Sequence, residues 1–62
     1  MKYIVYTDDA MVVAKKATLE EAKHEAKTKW PGCFIDGTDD APMWYIYDNA
    51  DTDNQLGTIE KE

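Results

Sequence analysis

Few side chains in this sequence have types and spacings that do chemistry, and each such group also has a plain structural use. Cys33 and His24 are the candidates for a nucleophile and its base. Such a pair needs a depressed thiol pKa and hydrogen-bond reach between the two groups. Cys33, however, sits between Gly32 and Phe34, where a small buried apolar residue is expected. His24 lies roughly opposite Ala22 around a helix, facing solvent. Glu20 and His24 are one helical turn apart and share a face, but two ligands do not close a zinc site, and no cysteine pair joins them. A surface ion pair or hydrogen bond is the simpler use. Asp39 and Asp40 are adjacent carboxylates, which do acid–base work only when burial splits their pKa values. They fall in a stretch bounded by Gly37 and Pro42, so we expect them solvated.

The segment Asn49 to Glu60 resembles a calcium loop in part. Counted from Asn49, the residues Asp51, Asp53, Leu56 and Glu60 fall at the third, fifth, eighth and twelfth places of an EF-hand. The first place is asparagine, the sixth is Asn54 where glycine is needed, and both flanks read as strand. A solvated hairpin connection is the expected state. We therefore expect no catalytic residue, no metal site and no cofactor.

Composition narrows the rest. The chain has 62 residues, room for one domain spanning 1–62. A chain this short buries only about 60% of the surface it exposes when unfolded, so its core is thin. Cys33 is the only cysteine, which excludes an internal disulfide and fits a reducing, cytoplasmic setting. No basic-plus-apolar leader and no long apolar run appears, so we expect a soluble protein with no membrane partner. There is no serine, which removes a serine nucleophile. There is no arginine either, which removes the fork that usually grips phosphate. The net charge is −6, a sign that repels nucleic acid and anionic membranes. It is unevenly spread. Residues 1–35 carry six lysines against five acids, net +1, whereas residues 36–62 carry eight acids against Lys61 alone, net −7.

The elements that must position these residues follow from pattern. Lys2 to Thr7 is rich in β-branched and aromatic residues and predicts a strand. Asp8-Asp9-Ala10 predicts a hairpin turn, and Met11 to Lys16 the return strand, with an early helix start near Met11 as the alternative. Thr18-Leu19-Glu20-Glu21 matches a capping box, in which the threonine hydroxyl accepts from the third helical N–H and Glu21 reaches back. The helix should run to about Lys29, be stopped by Pro31, and use Gly32 in a left-handed conformation beyond its end. Leu19, Ala22, Ala26 and Trp30 share one stripe, and the two alanines let the helix lie close to a sheet. Cys33 to Ile35 predicts either a brief strand or a buried loop, and residues 36–42 a loop. Met43 to Tyr47 predicts the strongest strand, Asp48 to Asn54 a turn, and Gln55 to Glu60 the last strand. The fold class is α+β: an antiparallel sheet of three to four strands with one helix on one face.

The aromatic residues carry the functional expectation. Tyr3, Tyr6, Trp44, Tyr45 and Tyr47 all lie on predicted strands. Alternation sends Tyr45 and Tyr47 to one face, and Trp44 and Ile46 to the other. One helix covers one face only. Either loops 33–42 fold over the second face, or an aromatic patch stays open for a partner. The expected binding surface comprises Tyr3, Trp44, Tyr45 and Tyr47 with the acids Asp48, Asp51 and Asp53.

The order of elements, carried by Lys2 to Tyr6, Ala17 to Ala22, Trp44 to Tyr47 and Leu56 to Ile59, resembles small uncharacterised bacterial and phage accessory proteins of hairpin–helix–hairpin layout. It implies architecture only. The expectation from the residues is a small acidic protein-binding module, regulatory or inhibitory, that is not an enzyme. Its partner is a protein, basic by charge complementarity, with a homodimer as the competing arrangement. Two alternatives are single-stranded nucleic-acid binding through the aromatic face, opposed by the charge, and an acidic mimic of DNA.

Overall fold

The computed structural model describes residues 1–49 and 53–62. Its elements are β1 (Tyr3–Thr7), β2 (Val12–Lys16), α1 (Leu19–Lys29), β3 (Phe34–Asp36), β4 (Met43–Tyr47) and β5 (Gln55–Lys61). They form one sheet in the order β2-β1-β5-β4-β3, with every neighbouring pair antiparallel. The last strand enters the centre and joins the two hairpin-like halves. The α+β class is as expected, but the sheet has five strands, not three to four. The extra strand is β3. Its three residues are too short for a periodic signal, and pairing with β4 alone brings them into the sheet.

The first turn explains how β2 is launched. The Ala10 N–H donates to Thr7 O at 2.9 Å, the Thr7 N–H donates to Met11 O at 2.8 Å, and the Met11 N–H donates to Thr7 Oγ1 at 3.1 Å. This is a three-residue hairpin loop whose last residue must be left-handed. Ala10 occupies that place at φ 66°, a conformation that glycine normally supplies.

The helix begins where the capping box predicts. Thr18 is extended at φ −129° and ψ 155°, and its hydroxyl accepts from the Glu21 N–H at 3.2 Å. The reciprocal contact is made to the threonine hydroxyl. Thr18 Oγ1 donates to Glu21 Oε1 at 3.1 Å, so Glu21 reaches back to the hydroxyl. At the other end the Trp30 N–H donates to Ala26 O, and Gly32 takes φ 78°. No helix among the described residues is long and apolar enough to cross a membrane.

The core lies between the helix and one face of the sheet. Val5, Trp44, Ile46 and Ile59 from the sheet meet Ala22 and Ala26 from the helix and Cys33 from the connection. Tyr3, Leu19, Trp30, Ile35 and Ala41 close its sides. Two irregularities add to it. Between Val5 and Tyr6 the β1–β2 ladder skips Val13, and between Ile46 and Tyr47 the β4–β5 ladder skips Leu56. A bulge re-aims its extra residue, and here both Val13 and Leu56 pack against the core. Lys16 Nζ to Glu25 Oε1, 3.0 Å, fastens the edge strand β2 to the helix.

Candidate open sheet face

The two faces of the sheet are covered unequally. Over β1 and β2 lies the helix. Over β4 lies the loop 37–42: Trp44 Nε1 donates to Thr38 O at 2.8 Å, and Ala41 packs against the core. Loop 37–42 therefore does fold over a sheet face, but it is the face the helix already shares. Within 33–36, Cys33 and Ile35 turn inward while Phe34 and Asp36 turn outward, as strand alternation requires.

Pairing places the outward residues in rows. One row crosses all five strands as Val12, Tyr6, Thr58, Tyr45 and Asp36. On one side lie Lys15, Ile4, Glu60 and Met43, and on the other Gln55, Tyr47 and Phe34. Val12 is 57% exposed, Phe34 49% and Tyr45 42%, while Tyr6, Met43 and Tyr47 are half-buried. The Tyr45 and Tyr47 rings lie 6.5 Å apart at 30°. Ile4 is the one buried residue of the face.

Of the four aromatic residues expected on the binding surface, the structure brings Tyr45 and Tyr47 together there. Trp44 is a correction: it is wholly buried, with its indole N–H satisfied, and offers nothing to a partner. Tyr3 is a second correction. It stands on the helix side, half-buried, with its ring 5.8 Å from that of Trp44. Both lie a single residue out of phase with the open face, and a period of two sends them inward. Phe34 was missed as a surface residue because three residues give too little alternation to fix its side. Asp48 and Asp53 sit at the β4–β5 connection, where the Asp48 N–H donates to Asn54 O at 3.0 Å. Asp51, and with it the middle of the acidic loop at residues 50–52, lies outside the described residues. The flanks of that loop are strands β4 and β5, where an EF-hand needs helices.

A groove runs along β5 on this face. A depression of about 360 Å3 is lined by Tyr6, Thr7, Asp8, Ala10, Gln55, Thr58 and Glu60. Thr58 forms a low floor between Tyr6 on β1 and Tyr45 on β4, because it is opposite both. Asp8 reaches the groove because its N–H donates to Leu56 O at 3.0 Å, which draws the first turn against the start of β5. The strand ends also gather charge. The turn carrying Asp8 and Asp9 and the connection carrying Asp48 and Asp53 leave the same end of the sheet.

The candidates for covalent or metal chemistry lie elsewhere and apart. Cys33 is in the core, and burial pushes its thiol above the ordinary value, with the nearby Lys27 and a backbone N–H pulling weakly the other way. A thiol held protonated is a poor nucleophile at neutral pH. His24 is exposed and lines a second depression, about 250 Å3, with Lys16, Glu20, Glu21 and Glu25. Asp39 and Asp40 are exposed in their loop. Among the described residues, no three of His, Cys, Asp and Glu are grouped so as to hold a metal ion. Compared with known protein families, curated proteins and solved structures, the chain finds no match.

Proposed function

We infer that this chain is a small acidic protein-binding module that docks a partner protein on the open face of its sheet. The observation that carries this is the set of outward residues Val12, Tyr6, Tyr45, Tyr47, Phe34 and Met43, on the side away from the helix and from loop 37–42. Aromatic side chains bring large contact area at low cost in conformational entropy. Covering roughly 200–300 Å2 of apolar surface on this face releases about 5–7 kcal/mol before association costs are subtracted. A regulatory or inhibitory role suits a small chain that offers an open aromatic surface. The single thiol is consistent with a cytoplasmic setting.

Capture of partners from the native cell, compared between the wild type, a Phe34→Thr/Tyr45→Thr variant and a helix-surface Lys23→Ala variant, tests this. Threonine retains strand propensity. Partners held by the wild type and by Lys23→Ala, and lost by the face variant, support the docking surface. Retention by the face variant overturns it. The exposed Tyr45 ring beside Tyr47 also suits base stacking, so single-stranded oligonucleotides belong in the same experiment. The −6 charge predicts no binding at physiological salt, and submicromolar binding would replace the protein-docking proposal with a nucleic-acid one.

A further inference from the structure

We propose that the groove along β5 seats an arginine side chain of the partner, carried on an extended basic segment that lies across the open face. The proposal rests on the open face being the docking surface, and names what that face selects.

Three features converge on this chemistry. The groove is lined by two carboxylates, Asp8 and Glu60, and by no cation. It has an aromatic wall, Tyr6, and a floor, Thr58, low enough to admit a side chain between Tyr6 and Tyr45. Guanidinium stacks on aromatic faces and pairs with carboxylates at the same time, which a compact ammonium does less well. Lys15, on the same face, lies 3.8 Å from Glu62 and does not line the groove. The depression beside the helix is the contrasting case. Its carboxylates share their site with Lys16, which already pairs with Glu25 at 3.0 Å, so a cation there competes with a resident one. A second copy of this chain fits the groove poorly, since it contains no arginine and brings the same −6 charge.

The test is a titration of isotope-labelled protein by NMR with a short peptide alternating arginine and valine. Its comparator replaces each arginine by citrulline, which keeps the shape and removes the charge. Asp8→Asn, Glu60→Gln and Tyr45→Thr are titrated in parallel, with far-UV circular dichroism to confirm that each is folded. The arginine peptide is expected to shift the amides of Tyr6, Thr7, Ala10 and Thr58. Neutralising either carboxylate should weaken it about fivefold, with further loss in high salt. The citrulline peptide should bind at least tenfold more weakly. Equal binding of the two peptides overturns the arginine site, as does a shift pattern centred on Lys16 to Glu25. If Tyr45→Thr weakens both peptides while the carboxylate variants change neither, the open face stands and the arginine site falls. If the carboxylate variants weaken the arginine peptide and Tyr45→Thr changes nothing, the arginine site stands and the wider docking face falls. Sedimentation showing a tight homodimer that occludes the peptide overturns the proposal in favour of a second copy.

Discussion

Gly57→Ala is expected to cripple this fold, although alanine is ordinarily the better strand residue. Gly57 lies in the middle of the sheet, opposite Thr7 on β1 and Ile46 on β4, beneath the Trp30 ring. A Cβ at this position overlaps the carbonyl oxygen of Tyr6 and stands 3.0 Å from the far edge of the Trp30 ring. The ring can shift, but the Tyr6 carbonyl is backbone in a central strand. Even close carbon–oxygen contacts in sheets settle near ~3.3–3.6 Å, so β1 and β5 must part by about 1 Å. That lengthens neighbouring ladder bonds past the hydrogen-bonding range. Two such bonds at roughly 1 kcal/mol each, plus about 1–3 kcal/mol for overpacking, total about 3–5 kcal/mol. The gain from removing a glycine offsets only about 0.5–1 kcal/mol of that. A domain of this length is stable by roughly 3–9 kcal/mol, so much of its stability is lost. The net cost is then about 2–4.5 kcal/mol, and at about 4–8 °C per kcal/mol the transition should fall by at least ~8 °C. Thermal unfolding followed by circular dichroism and tryptophan emission measures it. Gly32→Ala is the control, because nothing lies within 4 Å of the added carbon and only its φ of 78° is unfavourable. That substitution should cost about 1 kcal/mol, a fall of ~4–8 °C. A Gly57→Ala transition as high as that of Gly32→Ala would refute the close apposition of β1 and β5.

Ala10→Gly should stabilise the protein by roughly 0.5–1 kcal/mol, because Ala10 is left-handed at φ 66° and glycine removes that cost at some expense in chain entropy; a lower melting temperature would mean the first turn is built differently. Thr18→Ala should lose about 1 kcal/mol through the cap to the Glu21 N–H, and an unchanged melt would place the helix start elsewhere. Cys33 predicts a pH dependence. Burial raises its folded-state pKa above the ordinary 9.0, so its contribution is fully present below that value and is lost as pH rises through the folded pKa. Alkaline melts should therefore fall less steeply in Cys33→Ala than in the wild type. Parallel curves would show that the thiol is not held protonated by the fold.

What the sequence determined by itself is local. Thr18 and the acids after it set the helix start, because a cap needs only neighbours along the chain. Pro31 and Gly32 ended the helix, and alternation in Met43–Tyr47 separated Trp44 and Ile46 from Tyr45 and Tyr47. The absence of arginine and the acidity of residues 36–62 were likewise complete without coordinates. The tertiary structure decided what depends on pairing between distant segments. Whether Trp44 or Tyr45 faced outward was undetermined by alternation, which fixes that two sets differ but not which one the helix meets. Insertion of β5 between β1 and β4 gave the five-strand order. Phe34 reached the open face only through its register with Tyr47. The groove joins Tyr6 and Asp8 to Gln55, Thr58 and Glu60, two ends of the chain that only an antiparallel ladder brings side by side. Long-range pairing has no signature along the chain, because its register is set by burial of one whole face at once.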